Sequence, residues 1–291
     1  METVIYFFVF IFGAVVGSFL NVVVLRYNTG RSITIERSQC FSCGKTLKWF
    51  ELIPIFSFIA QRGRCRSCGS KISFQYITVE ILTGLVFLLI FNYQFSITNE
   101  FSNLLIFNIL YLWTIFSILI AISVYDLRHK IIPDALVFLF VGFSFLKGLF
   151  DFLDFGNWDL SGIWNLEFGI WLAAGPLIAL PFFLLWFFSR GRWMGFGDVK
   201  LALGIGWFLG LALGTYALLW SFWIGGAFSL GALLLKYILS SLEGKSSLFL
   251  RLKGLTIKSE IPFGPFLVLG TAVAFLLEWD FLFLNLMIEL L

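Results

Sequence analysis

Four cysteines and two aspartates have the types and spacing that could do chemistry. The cysteines fall in two tight pairs, Cys40-Phe-Ser-Cys43 and Cys65-Arg-Ser-Cys68, separated by twenty-one residues and each followed at once by glycine, Gly44 or Gly69. Two such knuckles present four thiolates in tetrahedral array, the geometry preferred by structural Zn²⁺. The glycine after each pair suits a tight turn that brings backbone amides toward the sulfurs. With Cys at all four positions no coordination site stays open, so a metal on Cys40, Cys43, Cys65 and Cys68 is expected to be structural. The bland alternative is a set of unrelated buried thiols. A redox site would need one pair in a thioredoxin-like setting, and disulfides would need an oxidising compartment.

Asp126 closes an apolar run in Val124-Tyr125-Asp126-Leu127-Arg128, and Asp198 opens another, 72 residues later, in Gly195-Phe196-Gly197-Asp198-Val199-Lys200. Ionisable groups at membrane depth are rare and functional by default. Two carboxylates at hydrogen-bonding distance cannot both ionise cheaply, so such a pair shares a proton. The ionised member can then activate a water while the protonated one polarises a peptide carbonyl. Gly195 and Gly197, without Cβ atoms, let a substrate backbone or a neighbouring helix approach Asp198 closely. Each aspartate also has a bland role. Asp126 could pair with Arg128 or Lys130 at a wet helix end, and Asp198 could be a helix N-terminal acid favoured by the macrodipole. Asp134, after Pro133, reads as the start of a helix. Glu80 reads equally as a functional membrane acid and as a residue facing the cysteine loop.

These residues must be positioned by membrane helices. Of 291 residues, 60% are hydrophobic and 13% charged, with 38 Phe, 11 Trp and a mean hydropathy of +0.96. A water-soluble chain could not hide so many large apolar side chains. A span needs about 20 mostly apolar residues. Eight stretches qualify, near 4–25, 76–93, 104–125, 131–149, 169–188, 199–215, 217–239 and 263–285, the sixth leaving through a short turn at Gly214-Thr215-Tyr216. The first lacks a basic n-region and a small-residue cleavage site and reads as a retained span. Gly13 and Gly17 suit close helix packing.

Nineteen of the twenty Lys/Arg fall at 26–75, 126–130, 189–200 and 236–260, with Lys147 the exception, while Glu100, Asp151, Asp154, Asp159 and Glu167 mark the other side. Lys/Arg bias marks the cytoplasmic side, so both termini are expected outside and both aspartates at the cytoplasmic ends of their spans. The expected fold is an all-α polytopic membrane protein: a first helix (1–25), a cytoplasmic zinc-binding loop domain (26–75) and a membrane-embedded core (76–291). The net charge of +3 gives no sign of nucleic-acid binding. The basic loops would attract anionic membrane lipid.

The chain resembles the type IV prepilin peptidases, membrane aspartic proteases that process pilins and type II secretion pseudopilins. The resemblance rests on Gly17-Ser18-Phe19-Leu20-Asn21-Val22-Val23, the two-knuckle loop, Ile53-Pro54 with Arg62-Gly63-Arg64-Cys65, Asp126 with Pro133-Asp134, Gly195-Phe196-Gly197-Asp198-Val199-Lys200-Leu201 and Ile261-Pro262-Phe263-Gly264-Pro265-Phe266. It implies Asp126 and Asp198 as catalytic residues, supported by Gly195, Gly197 and Lys200. The implied reaction, in a bacterial inner membrane, is cleavage of a short basic leader after a glycine. It also implies transfer of a methyl group from S-adenosylmethionine to the new N-terminal amine, a step linked to Glu51 and Gly63. Where the family pattern reads Glu-Asn-Ile-Pro, this chain has Glu51-Leu52-Ile53-Pro54, a departure that bears on methyl transfer and not on cleavage. Leader recognition would fall to local acids such as Glu36, Glu51 or Glu243. A different class stays open on the residues themselves: an ion-coupled transporter that uses Asp126 and Asp198 with a zinc-stabilised loop.

Overall fold

The computed structural model describes residues 2–98, 103–152, 166–241 and 262–289. Glu100, Asp154, Asp159, Glu243, Ile261 and most of the basic stretch 236–260 lie outside the described residues. Among the described residues the chain forms eight α-helices and a single 3₁₀ turn: α1 Glu2–Arg26, the turn Trp49–Glu51, α2 Phe56–Ala60, α3 Phe74–Thr98, α4 Asn103–His129, α5 Asp134–Phe152, α6 Leu166–Ser189, α7 Phe196–Ser241 and α8 Gly264–Glu289. Six helices (α1 and α3 to α7) are long and apolar enough to cross a membrane, and Gly264–Leu276 adds a shorter apolar helix. In hydrocarbon only an all-helical backbone can satisfy its own polar groups when the sheet alternative is not closed.

The chain divides into two compact units, Met1–Tyr125 and Asp126–Leu291, with the boundary inside α4. In the first, α1 packs on α3 through small residues: a Cβ on Gly13 would lie 2.8 Å from Gly84 Cα, and one on Gly17 would lie 2.9 Å from Glu80 Cα. Removing the side chain at both positions lets the backbones touch, which is the packing role expected of them. Asn21, fully buried, ties the same pair by donating from Nδ2 to the carbonyl of Tyr76 at 3.2 Å. Phe87 stacks on Trp113 of α4 at 4.6 Å, and the indole N–H donates to the Phe87 carbonyl.

The second unit is built around α7, which is not one rod. Gly210 breaks it with φ 75 and ψ −177, a conformation essentially confined to glycine. Along a straight helix Gly206 and Gly214 would stand about 12 Å apart. Instead a Cβ on Gly214 would lie 3.7 Å from Gly206 Cα, so the chain doubles back. The two expected spans are present as two arms, but the reversal falls at Gly210 and not at Gly214-Thr215-Tyr216. Thr215 is helical there, its hydroxyl donating to the Ala212 carbonyl at 2.6 Å.

The break has a hydrogen-bond consequence that the neighbouring helix meets. A helix end leaves carbonyls without an intrahelical donor, and the Trp207 carbonyl receives the Trp171 indole N–H of α6 at 3.1 Å. The exchange is reciprocal. Pro176 lies inside α6 and has no N–H to give the Leu172 carbonyl, which receives the Trp207 indole N–H at 3.1 Å. Phe140, Phe182, Ile178, Leu201, Ile205 and Leu267 form the fully buried centre of this unit.

Candidate active site and metal centre

Asp126 lies in the last turn of α4 and Asp198 in the first turn of α7. Both are buried, 4% and 8% exposed, which is exceptional for carboxylates. They are close enough for the charge of Asp126 to act on Asp198. Asp126 Oδ2 receives the backbone N–H of Gly264 at 3.1 Å. That amide belongs to the first residue of α8, where unpaired N–H groups and the helix dipole favour an anion. Pro265 follows and has no N–H, leaving Gly264 as the donor on offer. Phe263 anchors this helix start, its ring 5.1 Å from Phe222 and 6.1 Å from Phe182. Asp198 Oδ1, by contrast, is buried with no hydrogen-bond partner among the described residues.

Ile132 packs against the glycines that neighbour both acids, Gly197 beside Asp198 and Gly264 beside Asp126. A Cβ on Gly197 would lie 2.7 Å from Ile132 Cβ, and one on Gly264 would lie 3.4 Å from Ile132 Cδ1 and 2.6 Å from Asp126 Oδ2. Gly197 therefore needs to be glycine for the close approach of Ile132. Gly195 is different, since a Cβ there would sit 3.7 Å from Asp198 Oδ2, ordinary contact. Lys200, two residues beyond Asp198, pairs with Asp134 and lies over the rings of Phe138 and Phe196. It thus braces the start of α7 against the start of α5. Asp134 is the first residue of α5, as its position after Pro133 led one to expect, and is also the partner of Lys200. Gly264 and Ile132 have no role in the expectations above. Gly264 stands in a motif that the resemblance quotes, whereas Ile132 is one apolar residue among many and carries no signal.

The four cysteines come together: their sulfurs all lie within 4.8 Å of one another, and Cys40 Sγ is 3.8 Å from Cys68 Sγ. A tetrahedron with metal–sulfur bonds of about 2.3 Å has edges of about 3.8 Å, so the donor set fits zinc. The two knuckles are copies of one another. Gly44 and Gly69 have φ 70 and 69. Each returns its N–H to the first cysteine's carbonyl at 2.9 Å, and each first cysteine donates to Lys45 or Ser70 at 2.9 Å. Single antiparallel bridges, Gln39 with Thr46 and Arg64 with Lys71, close both loops. Hydrogen bonding to the backbone of Cys43 and Ser42 draws the Cys40 thiol down to about 6, and the Ser70 hydroxyl lowers Cys68 as well. Thiolates are the form a metal takes.

Glu51 is buried beside the first knuckle. It accepts the Lys48 N–H at 2.9 Å and pairs with Lys45 Nζ at 3.5 Å. The Lys48 amide, then the Lys45 charge, hold its carboxyl below the usual range. Gly63 ends α2 with φ 64, its N–H donating to the Phe58 carbonyl at 2.9 Å, a helix stop that favours glycine. Glu80 faces the loop: its Oε2 receives the Ile55 N–H at 2.7 Å.

Comparison with known proteins falls on the same segments. The model for the bacterial peptidase A24 N-terminal domain matches residues 11–94 and that for the type IV leader peptidase family matches residues 113–230. A prepilin leader peptidase/N-methyltransferase of Bacillus subtilis is 31% identical over 267 residues, 92% of each chain. The chain belongs to the type IV leader peptidase family. Other relatives of the same name come from Myxococcus xanthus, 42% identical over 126 residues (43% of this chain and 35% of that one), and Dichelobacter nodosus, 27% identical over 306 residues (93% and 91%). No solved structure matches. Membership of this peptidase family leaves the transporter reading without support. The N-terminal match takes in the whole four-cysteine loop, and the type IV leader peptidase match takes in both aspartates but ends before Gly264.

Proposed function

We propose that the protein is a membrane aspartic endopeptidase. It removes the short basic leader of type IV prepilins and pseudopilins after a glycine, at the cytoplasmic face of a bacterial inner membrane. The observation that carries this reading is the buried pair Asp126 and Asp198, with Asp126 fixed by the α8 amide. The hydrogen-bond pattern separates their roles. Asp126, held by an N–H at a helix N-terminus, carries the charge and takes a proton from the attacking water. Asp198, whose Oδ1 is buried without a hydrogen-bond partner among the described residues, carries the proton and gives it to the scissile carbonyl oxygen. The tetrahedral species then expels the new amine as it is protonated. The packing of Ile132 on Gly197 and the burial of both acids keep the site low in dielectric, which strengthens each charge effect. Lys200 and Asp134 hold the helix start that presents Asp198. The sidedness rests on the Lys/Arg bias, which makes both termini external.

Cys40, Cys43, Cys65 and Cys68 would hold a structural Zn²⁺ that orders the 26–75 loop, while 76–291 forms the peptidase core. N-methylation of the new N-terminus, an activity carried in the name of the Bacillus subtilis relative, would fall to the same loop. S-adenosylmethionine would supply the methyl group. Glu51 and Gly63 serve this step by shape, the one tying the first knuckle to the Leu52-Ile53-Pro54 segment and the other ending α2.

The test is cleavage of a prepilin peptide by purified protein in detergent, with no membrane potential. Asp126→Asn and Asp198→Asn should each lower kcat by at least about 100-fold, the range for loss of a general acid or base. Full cleavage by both variants would sink the pair as the catalytic centre.

A further inference from the structure

Among the described residues Ile55 is the one β-branched residue with positive φ: φ 62 and ψ −55. Phe56 donates its N–H to the Pro54 carbonyl across it, which makes a three-residue turn of the rare, strained hand. A β-branched side chain at such a φ is a true outlier, and it persists only where its surroundings over-determine it. Here the bond to the Ile55 amide itself comes from a buried acid. Glu80, 6% exposed, takes the Ile55 N–H on Oε2 at 2.7 Å. Glu80 is itself fixed, since Gly17 of α1 packs so close to its Cα that a Cβ would lie 2.9 Å away, and the Ser18 hydroxyl bonds its carboxyl.

The strained turn is a junction. Just before it stand Glu51, buried and bonded to Lys48 and Lys45, and Leu52-Ile53-Pro54. Just after it α2 begins, with Ser57 returning its N–H to Ile53 at 3.0 Å. At the far end of α2, Gly63 turns back on Phe58 and leads into Arg64 and the second knuckle. The direction in which α2 leaves Ile55 therefore sets where Gly63 lies relative to Glu51.

We infer that Glu80 is a positioning residue for methyl transfer, clamping the Ile55 amide so that the Glu51 and Gly63 ends of the loop keep one geometry. This rests on assigning methyl transfer to the 26–75 loop. Glu80 lies in the membrane-spanning part of α3, yet it acts on the loop through a backbone amide and not on a substrate.

The experiment uses the full-length protein in detergent and reads four things: prepilin-peptide cleavage, methylation of the cleaved peptide with labelled S-adenosylmethionine, zinc content, and hydrogen exchange of the peptide containing residues 53–60. Glu80→Ala should lower methyl transfer at least about tenfold, the scale of a small misplacement near a reacting centre. It should also lose exchange protection at Ile55, while zinc stays stoichiometric and cleavage stays within about twofold. Glu80→Gln keeps a carbonyl acceptor and should retain most methylation and protection. Ile55→Gly in the Glu80→Ala background should recover part of the methylation, because glycine adopts this turn without a clamp. Glu80→Met, a shape match without an acceptor, replaces Glu80→Ala if the latter does not accumulate. Unchanged Ile55 protection in the variant lacking an acceptor would overturn the clamp. Glu80→Gln as damaging as Glu80→Ala would overturn it too, by showing that the charge itself acts. If the wild-type protein cleaves but does not methylate, the proposed second activity falls, and the exchange arm alone still decides whether Glu80 holds Ile55.

Discussion

Asp126 owes its setting to an amide 138 residues away. A Cβ on Gly264 would lie 2.6 Å from Asp126 Oδ2, closer than real Cβ contacts come, so Gly264→Ala must push the carboxylate aside. Cleavage by that variant should fall by about 10- to 100-fold in kcat, with the protein still folded and zinc retained. An unchanged kcat would show that Asp126 does not depend on the α8 amide. The two aspartates were legible in the sequence because an acid stands out in an apolar run, and the cysteines because their spacing is their chemistry. The pairings were not. A glycine that donates one N–H across 138 residues, and an isoleucine that packs on the glycines beside two acids, look like any other glycine and isoleucine until the chain is folded. Lys200 was legible as a neighbour of Asp198, but its partner Asp134 was read only as a helix start.

At the level of the helix, composition gave the type of the elements well, while for the eight expected spans six helices are long and apolar enough to cross a membrane, α7 holding two of the expected spans. Long apolar runs can only be spans, and caps such as Pro133-Asp134 mark their starts. The reversal inside α7 was misplaced by a few residues for a physical reason. Gly214-Thr215-Tyr216 interrupts the apolar pattern and looks like a turn, but threonine in a membrane helix bonds its own backbone and stays helical. Gly210, between Leu209 and Leu211, offers no polar signal, because the carbonyl freed at the turn is served by a tryptophan indole from α6. Backbone conformation makes the distinction testable. Gly210→Ala puts a Cβ on φ 75 and should cost about 1–3 kcal/mol, seen as a lower melting temperature in detergent. Gly214→Ala meets the Ile178 side chain at 3.1 Å and Gly206 Cα at an ordinary 3.7 Å, and should be the milder change. A reversed order would contradict the assignment of the turn.

In the molecule as a whole, the four cysteines belong to one compact unit, Met1–Tyr125, and the two aspartates to the other, Asp126–Leu291. A loop of about 50 residues has little core of its own, so metal binding and loop folding should be one event. Zinc removal by a chelator, or Cys43→Ser with Cys68→Ser, should abolish methyl transfer before it affects cleavage; methylation that survives zinc loss would remove that step from the loop. The turn at Gly210 has a further consequence for the lipid. The arm that carries Asp198 rises only about 21 Å before the chain reverses, against a hydrocarbon layer about 30 Å deep. Thinning of the bilayer around it is one of the ways a segment this short is accommodated. Such a dimple would bring bulk water nearer to a bond that must be hydrolysed at the edge of a fatty phase, so the depth of the active site becomes a property of protein and lipid together.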